Sequence, residues 1–433
     1  MSYKRLSQSL CNSYSSDYST PSTSTPSDAH IDVWIKQWEA VLAKDLIDSR
    51  IVDVDAETTV EEACDVLLKE DIPCLAIKSA SGSFVGLLDF SDMNAFLTLA
   101  ATRHTLILDD ILENVRINQI IAAAKAGRVP VRLVSNLSEK NPLHILPEDA
   151  NILDLLKLFS LGNHRVLINS TANSNEYYGM VSDRRLLAWF AAYAKETPTF
   201  HQYSSNPLSS FALPSLNLHS AVVSATSDAK LLDAMKLMSD EGVSSIAVLD
   251  EETGNLLSAV SVTDIGRVVV PSENNQILNI PLHHFISLIK APYGSTDGVE
   301  KYPVYSVYPN NALSYTIEKL LATNAHRVFV THEPISSPPS VPVELCGIAS
   351  IGDILSLFGR LAKIPDIDPT KMLRHRRRAS SASSSSFRSR SNSQTGIRGS
   401  PRLHTTSPPI MIGSPDSISI LDSFQRRNGA PDK

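Results

Sequence analysis

Between residues 44 and 362 the chain alternates two hydrophobic patterns. Short, almost continuously apolar runs are followed by stretches whose apolar residues recur every three or four positions. The runs predict buried strands and the stretches predict amphipathic helices. The succession strand, helix, strand, turn, strand, helix occurs four times, which marks internal repeats. In the third copy "AVVSATSD" reads as strand and turn, with Asp228 as the expected N-cap. Leu231, Leu232, Met235 and Met238 then fall on one helix face, "SSIAVLD" and "LLSAVSV" form the strand pair, and "TDIGRVVV" opens the closing helix. The first copy runs through "RIVDVDAETTVEEACDVLL" and "IPCLAIKSASGSFVGLLDFSD", with Thr59 and Glu62 spaced as a capping box. The second holds "PLHILPEDANILDLLKLFSLGNHRVLIN" and "YYGMVSDRRLLAWF". The fourth holds "YPVYSVYPNNALSYTIEKLLATNAHRVFVT" and "ELCGIASIGDILSLF", joined by a long Pro/Ser loop from Glu333 to Pro342.

The expected organisation is an α/β body in which helices cover a small sheet in each repeat. A Ser/Thr/Tyr-rich tail (1–30) and a lead-in helix (31–43) precede it. A first pair of repeats (44–195), a linker (196–219) and a second pair (220–362) form the body, and a Ser/Arg/Pro tail (363–433) follows. Both tails lack the apolar residues that would offset the entropy of ordering them. In the lead-in helix Trp34 and Trp38, four residues apart, predict an aromatic face docked on the body.

Charge changes this picture at one end. Residues 374–433 hold eleven Arg or Lys against three Asp, a local charge of +8, which leaves −15 on the first 373 residues. An acidic body argues against a nucleic-acid surface. Cys11, Cys64, Cys74 and Cys346 have neither metal-ligand nor dense disulfide spacing, which suits a reducing compartment. No run of about 18 apolar residues predicts a membrane span, and Met1 to His30 lacks a signal-peptide core. Cytoplasm and nucleus are therefore the expected locations. The neighbours His283 and His284, and His332, have no companions at metal-ligand spacing, and neither a P-loop nor a nucleophile–base–acid arrangement is present, so no enzymatic activity is expected.

Three phrases carry a family resemblance: "HRV" at His164-Arg165 and again at His326-Arg327, "GVSSIAVLDEETG", and "GIASIGDILSLF". Over roughly residues 44–362 the chain resembles the CBS-domain family, and especially the four-repeat gamma subunit of AMP-activated protein kinase. Tails included, it looks like the fungal four-CBS regulators that inhibit a type-2A-like protein phosphatase in cell-cycle, nutrient and stress signalling. The resemblance implies two modules of paired repeats stacked as a disk, with adenine-nucleotide sites (AMP, or ADP or ATP) as regulatory rather than catalytic ligands. It implies a phosphatase catalytic or regulatory subunit as partner. A kinase regulatory subunit and a scaffold that binds no nucleotide are the alternatives.

The candidate nucleotide signal is Gly-x-x-Ser/Thr-x-x-Asp where the last strand of each repeat meets its closing helix. A hydroxyl and free amides at a helix start suit phosphate, and a carboxylate one turn on suits ribose hydroxyls. The fourth repeat has Gly347, Ser350 and Asp353. The third has Ser261 and Asp264 with Ser258 in place of glycine. The first has Gly86 and Asp92 but Asp89 for the hydroxyl, and the second has Gly179 and Ser182 but Arg185 for the carboxylate. An Arg accepts no hydrogen bond, so no nucleotide is expected beside Arg185. In an arbitrary α/β protein the same Asp is a helix-terminal charge favoured by the dipole. By the resemblance, the single best site is Val223, Val243, Ser244, Ser350 and Asp353, with His164, Arg165, His326 and Arg327 gathering phosphates. The His-Arg pairs also read simply as satisfied polar residues at strand ends, and Pro73 and Ser244-Ser245 make the basic set thinner than in the kinase subunit.

In the tails, Arg377 and Arg378 precede Ser380 as a basophilic kinase prefers, and Thr25, Ser400, Ser407 and Ser414 precede proline. Each phosphate adds close to two negative charges and would cancel much of the tail's +8. A chain ending at Pro369 is expected to melt within about 2 °C of the full chain, because no core goes with the segment removed. Thermal melting of both forms checks this, and a large drop would show that the tail packs on the body.

Overall fold

The computed structural model describes residues 25–102, 114–172, 176–213, 215–216, 222–270, 275–290, 305–332 and 345–367. The long turn expected at Glu333–Pro342 and nearly all of both tails lie outside them. Four three-stranded sheets account for the four repeats: β1 (Asp53–Asp55), β2 (Cys74–Lys78) and β3 (Phe84–Asp89); β4 (Ile145–Pro147), β5 (Arg165–Asn169) and β6 (Tyr177–Ser182); β7 (Ser224–Thr226), β8 (Ser245–Leu249) and β9 (Leu256–Ser261); β10 (Ser306–Val307), β11 (Arg327–Thr331) and β12 (Leu345–Ser350). In each sheet the first two strands run parallel, with a helix in the crossover, and the second and third form an antiparallel pair.

The equivalence extends to single residues. Each antiparallel pair has an irregularity at the same place, between Ile77 and Lys78, Ile168 and Asn169, Val248 and Leu249, and Val330 and Thr331. The first residue of the middle strand always faces the last residue of the third: Cys74 faces Asp89, Arg165 faces Ser182, Ser245 faces Ser261, and Arg327 faces Ser350. This register carries each His-Arg pair to a strand-to-helix junction.

The helices, in chain order, are α1 (Asp28–Glu39), α2 (Val60–Lys69), α3 (Phe90–Thr102), α4 (Val115–Lys125), α5 (Ile152–Phe159), α6 (Asp183–Glu196), α7 (Pro198–Ser204), α8 (Leu231–Glu241), α9 (Val262–Val269), α10 (Leu282–Lys290), α11 (Leu313–Ala322) and α12 (Ile351–Leu361). The capping box of Thr59 and Glu62 opens α2 as its spacing predicts. The helix of the third repeat starts differently. Its N-cap is Lys230, with no side-chain cap, and not Asp228, because the Lys230 backbone is held extended by a bridge to Pro281. Thr59 bridges Pro130 in the same way in the first repeat.

Two large cores and two small ones hold the repeats together. Helices of the first and third repeats share one core, in which Val60, Met93, Met235 and Phe285 are fully buried. Those of the second and fourth share the other, around Phe159, Phe190 and Phe358. The sheets meet in the other direction. Cys74, Ala76 and Leu87 pack on Leu167 and Met180, and Ala247 packs on Phe329, Leu345 and Ile348. Contacts therefore run from repeat 1 to 2 through sheets, 2 to 4 through helices, 4 to 3 through sheets and 3 to 1 through helices.

The lead-in helix docks as its aromatic spacing predicts, although it begins at Asp28 and ends at Glu39. Trp38 is fully buried edge-on to Phe190, 5.1 Å between ring centroids, and Trp34 donates its indole N–H to Thr199 Oγ1 at 3.1 Å. At the other end the chain stays packed beyond the boundary expected at 363. Ile364 donates its amide to the Gly359 carbonyl, and the Ile367 side chain occupies the space a Cβ on Gly359 would need.

Ahead of repeats 1, 2 and 3, the segment that leads into the repeat first crosses the third strand of its sibling. Met180 on β6 exchanges backbone bonds with Ser49, ahead of repeat 1. Asn136, ahead of repeat 2, donates its amide to the Leu87 carbonyl on β3. Leu216, ahead of repeat 3, lies over Gly347 on β12. The three motif glycines are what permit this approach. A Cβ on Gly179 would stand 2.9 Å from the Ser49 carbonyl oxygen, one on Gly86 2.8 Å from Ser135 Oγ, and one on Gly347 3.1 Å from the Leu216 carbonyl oxygen. Gly179→Val is thus expected to push the crossing segment off β6 and cost about 1–3 kcal/mol, a fall in melting temperature of at least about 2 °C. Thermal melting reads it, and an unchanged value would mean that the crossing contributes nothing to stability.

Candidate functional site

The last strand of each repeat hands over to its closing helix at a capped turn, and the cap is built from the motif residues themselves. In the fourth repeat Ser350 is the N-cap of α12 and Asp353 its third residue. Asp353 donates its amide to Ser350 Oγ at 3.1 Å, and Asp353 Oδ2 accepts from the Ser350 amide at 2.9 Å and hydroxyl at 2.6 Å. Ser261 and Asp264 repeat this arrangement on α9. A capping box contributes roughly 1 kcal/mol to helix stability, so the pair has a structural role whether or not it meets a ligand. The Ser/Asp spacing, expected to mean ligand chemistry or dipole charge, is a capping box in both repeats.

Asp353 is fully buried. Its second oxygen, Oδ1, accepts from Ser215 Oγ at 2.8 Å, and Ser215 belongs to the segment that crosses from repeat 3. Burial raises its pKa, opposed by bonds from Ser350 and Ser215 and by the Arg327 charge. Arg327, facing Ser350 across the sheet, donates from Nη2 to Ser244 Oγ at 3.0 Å and so spans repeats 4 and 3. Its Nε is buried with no hydrogen-bond partner, and burial lowers its pKa while Asp353 opposes the shift. Val243 is buried and Val223 half-buried in the core of repeats 1 and 3. Ser244, Arg327, Ser350 and Asp353 are therefore gathered at one junction, with a buried cationic donor left over.

The other junctions are filled by the chain in the same fashion. In repeat 1 Asp89 replaces the hydroxyl of the cap and accepts from the Asp92 amide at 3.0 Å. Asp92, fully buried, accepts from the Ser138 amide and hydroxyl at 2.9 and 2.7 Å and from the Asn136 amide at 3.1 Å. In repeat 2, where Arg185 stands in place of the carboxylate, Asp48 of the crossing segment accepts from both the Ser182 amide and its hydroxyl. The carboxylate missing from the motif is thus supplied from another part of the chain.

The two His-Arg pairs divide. His164 and His326 come together across the contact between repeats 2 and 4, with ring centroids 4.9 Å apart. Between them is Asp183, a buried residue that the motif reading passes over. Its Oδ2 lies 2.8 Å from His164 Nδ1 and 3.7 Å from His326 Nδ1, and its Oδ1 accepts from the Arg184 amide at 2.7 Å. The two imidazoles hold its carboxyl far below the usual range although burial alone would raise it. Arg327 points instead to Ser244. Among the described residues His164, Asp183 and His326 are the one His/Cys/Asp/Glu group close enough to share a cation. An open cleft at the far end of repeat 1, lined by Asp55, Glu57, Ser79, Arg132 and Ser135, contains none of the sequence-predicted site residues.

The repeat 1 junction generates a pH dependence. Burial and the Asp89 carboxylate push Asp92 up to about 8, against the donors from Ser138 and Asp89. A carboxyl raised in the fold binds a proton that the unfolded chain releases, so its contribution to stability is full below about pH 4 and is lost as pH rises towards 8. Asp89→Asn keeps the cap and removes the neighbouring charge. Its melting temperature is expected to fall less than that of the parent between pH 4.5 and 8, and an equally steep fall would remove Asp89 as the cause.

A CBS-domain family profile matches residues 217–271, the third repeat. The chain is 32% identical over 374 residues to protein SDS23 of Yarrowia lipolytica, covering 79% of this chain and 70% of that one. It is 29% identical over 404 residues to protein sds23 of Aspergillus niger, covering 80% and 77%. It is 30% identical over 327 residues to protein SDS24 of Saccharomyces cerevisiae, covering 73% of this chain and 60% of that one. Among solved structures, protein MJ1225 of Methanocaldococcus jannaschii, described as an archaeal homologue of the gamma subunit of the AMP-activated kinase, superposes with a TM-score of 0.52. That likeness spans 73% of this chain and 100% of the archaeal one at 16% identity, and it bears on the fold alone. With four sheets of one register, the domain match and these relatives along most of its length, the chain belongs to the Sds23 family of CBS-repeat proteins.

Proposed function

We propose that this protein is a non-catalytic, nucleotide-responsive regulator that restrains a type-2A-like protein phosphatase. The observation that carries the nucleotide part is Arg327: a half-buried side chain bonded through Nη2 to Ser244 of the neighbouring repeat, with its buried Nε unpartnered near the Ser350–Asp353 cap. A buried cationic donor without an acceptor is costly, and an anionic ligand at this junction relieves it. AMP, or ADP or ATP, supplies that anion together with ribose hydroxyls, which compete with Ser215 for Asp353 Oδ1. Val223 and Val243, which the resemblance assigns to the purine, pack instead in the core of repeats 1 and 3, so a purine there needs a shift of that core. Ser261 and Asp264 form the equivalent junction in repeat 3.

The phosphatase part follows from the resemblance to the fungal four-CBS regulators together with membership of the Sds23 family. In this reading the protein works in cytoplasm and nucleus and exchanges its signal with a phosphatase catalytic or regulatory subunit. Kinases adjust it through the serines of the basic tail. A kinase regulatory subunit is the second reading, favoured by the fold shared with the archaeal gamma-subunit homologue. Affinity capture of the full chain from cell extract separates the two, since recovery of a phosphatase subunit supports the first and of a kinase catalytic subunit the second.

Two substitutions test the nucleotide site by calorimetry. Asp353→Ala removes the charged acceptor and is expected to weaken AMP binding by about ten- to a hundredfold, or roughly 1.5–3 kcal/mol. Ser215→Ala frees Asp353 Oδ1 and is expected to leave binding as tight or tighter. Undiminished binding by Asp353→Ala would end the assignment.

A further inference from the structure

Asp183 is out of place by the logic of the repeats. It is the first residue of its closing helix, and its amide bonds to the carbonyl of His164 at 3.1 Å. The residues in the same register are Ile351, bonded to the His326 carbonyl, and Val262, bonded to the Ser244 carbonyl. In repeat 1 the equivalent is Phe90. All three are apolar and nearly buried, at 1%, 6% and 6% exposure. Asp183 is as buried as they are, at 2%. A carboxylate in a slot shaped for an apolar side chain persists only if it is closely paired.

Its partners are the two imidazoles, from different repeats and 162 residues apart in sequence. His164 Nδ1 is at hydrogen-bond distance, 2.8 Å. His326 Nδ1 is buried, has no hydrogen-bond partner, and stands 3.7 Å from the same oxygen, although 41% of the side chain as a whole is open to solvent. The charges around the pair are two arginines, with Asp48 as an acid whose field also reaches Arg184. Arg184 follows Asp183 directly and its field acts on both Asp183 and His326, while Arg165 adds to the field at Arg184. A positive surrounding favours an anion over a metal ion between the imidazoles. The anion is already there.

We propose that Asp183 is a built-in anion that fills the place between His164 and His326 where the resemblance leads one to expect phosphate, ties repeat 2 to repeat 4, and excludes phosphate from that centre. The specificity consequence is direct. The histidine centre does not count the phosphates of a nucleotide, and of the two histidines and two arginines read as gathering phosphates Arg327, turned towards Ser244, is the one at the repeat 3–4 junction. The exclusion stands or falls independently of whether that junction takes a nucleotide.

The test uses the full chain and inorganic tripolyphosphate, which has no adenosine to bind elsewhere. Attraction to the basic C-terminal segment is common to all variants, so differences between variants are what count. Asp183→Asn keeps the size and hydrogen bonding of the side chain but removes its charge. It is expected to bind tripolyphosphate at least tenfold more tightly than the parent, and Arg184→Ala added to it should abolish the gain. In the parent background His326→Ala is expected to leave tripolyphosphate affinity within twofold, a measurement that holds even if Asp183→Asn does not fold. A tenfold loss on His326→Ala would overturn the proposal, as would a folded Asp183→Asn that gains nothing. One zinc ion bound by the parent and lost with His326→Ala would overturn it too, by making Asp183 a metal ligand.

Discussion

The crossing of the segments ahead of repeats 1, 2 and 3 onto the sibling's third strand is the contact on which the arrangement of the described residues rests. A three-stranded sheet with one parallel crossover leaves a long unpaired edge, which is unstable alone and open to wrong partners. Here Ser49 bonds to Met180 across that edge, and Asn136 to Leu87. Because the segment that covers one repeat continues into the first strand of the other, neither member of a pair is complete without its sibling. Register, pairing and edge protection are thus settled by the same few backbone bonds.

The same crossing decides the chemistry of the junctions. Wherever the segment arrives it brings a polar side chain to the cap: Ser138 to Asp92, Asp48 to Ser182, Ser215 to Asp353. Repeat 2 shows how far this goes. Losing the motif carboxylate to Arg185 would leave the Ser182 amide and hydroxyl without an acceptor at a part-buried helix start, and Asp48 restores it. The caps of repeats 1, 2 and 4 are therefore satisfied by the chain itself, with Arg327 Nε left over at the repeat 4 junction. A nucleotide at the proposed site would replace an internal hydrogen bond and gain only the difference.

Most of the fold is legible in the sequence because period and order repeat. Four apolar strand pairs and the capping box at Thr59 are local patterns, and the burial of Trp34 and Trp38 follows from their spacing. What escapes is whatever depends on residues distant in the chain. Gly86, Gly179 and Gly347 read as part of a phosphate signal, yet their surroundings show backbone and side chains of a crossing segment where a Cβ would stand. Asp228 looks like a helix cap, but a bridge to Pro281, 51 residues later, fixes the helix start at Lys230 instead. Asp48 and Ser215 carry no motif at all. Asp183 did leave a trace: aligned by register, it is the one charged residue in a column otherwise held by Phe90, Val262 and Ile351.

That column also explains why the two His-Arg pairs, identical as dipeptides, end in different roles. Both arginines begin a middle strand and face the N-cap serine of their own repeat. Arg327 finds Ser244 of repeat 3 within reach because the fourth repeat's sheet packs on the third. The histidines, one residue earlier, lie on the opposite side of the register, where helices of repeats 2 and 4 meet and where repeat 2 alone offers an acid. One dipeptide thus serves two interfaces: its arginine works between sheets and its histidine between helices. Asp183 Oδ2 is 2.8 Å from His164 Nδ1 and 3.7 Å from His326 Nδ1, and each histidine directly precedes the arginine that opens its repeat's middle strand, so the helix contact and the sheet contact meet at neighbouring residues in repeats 2 and 4.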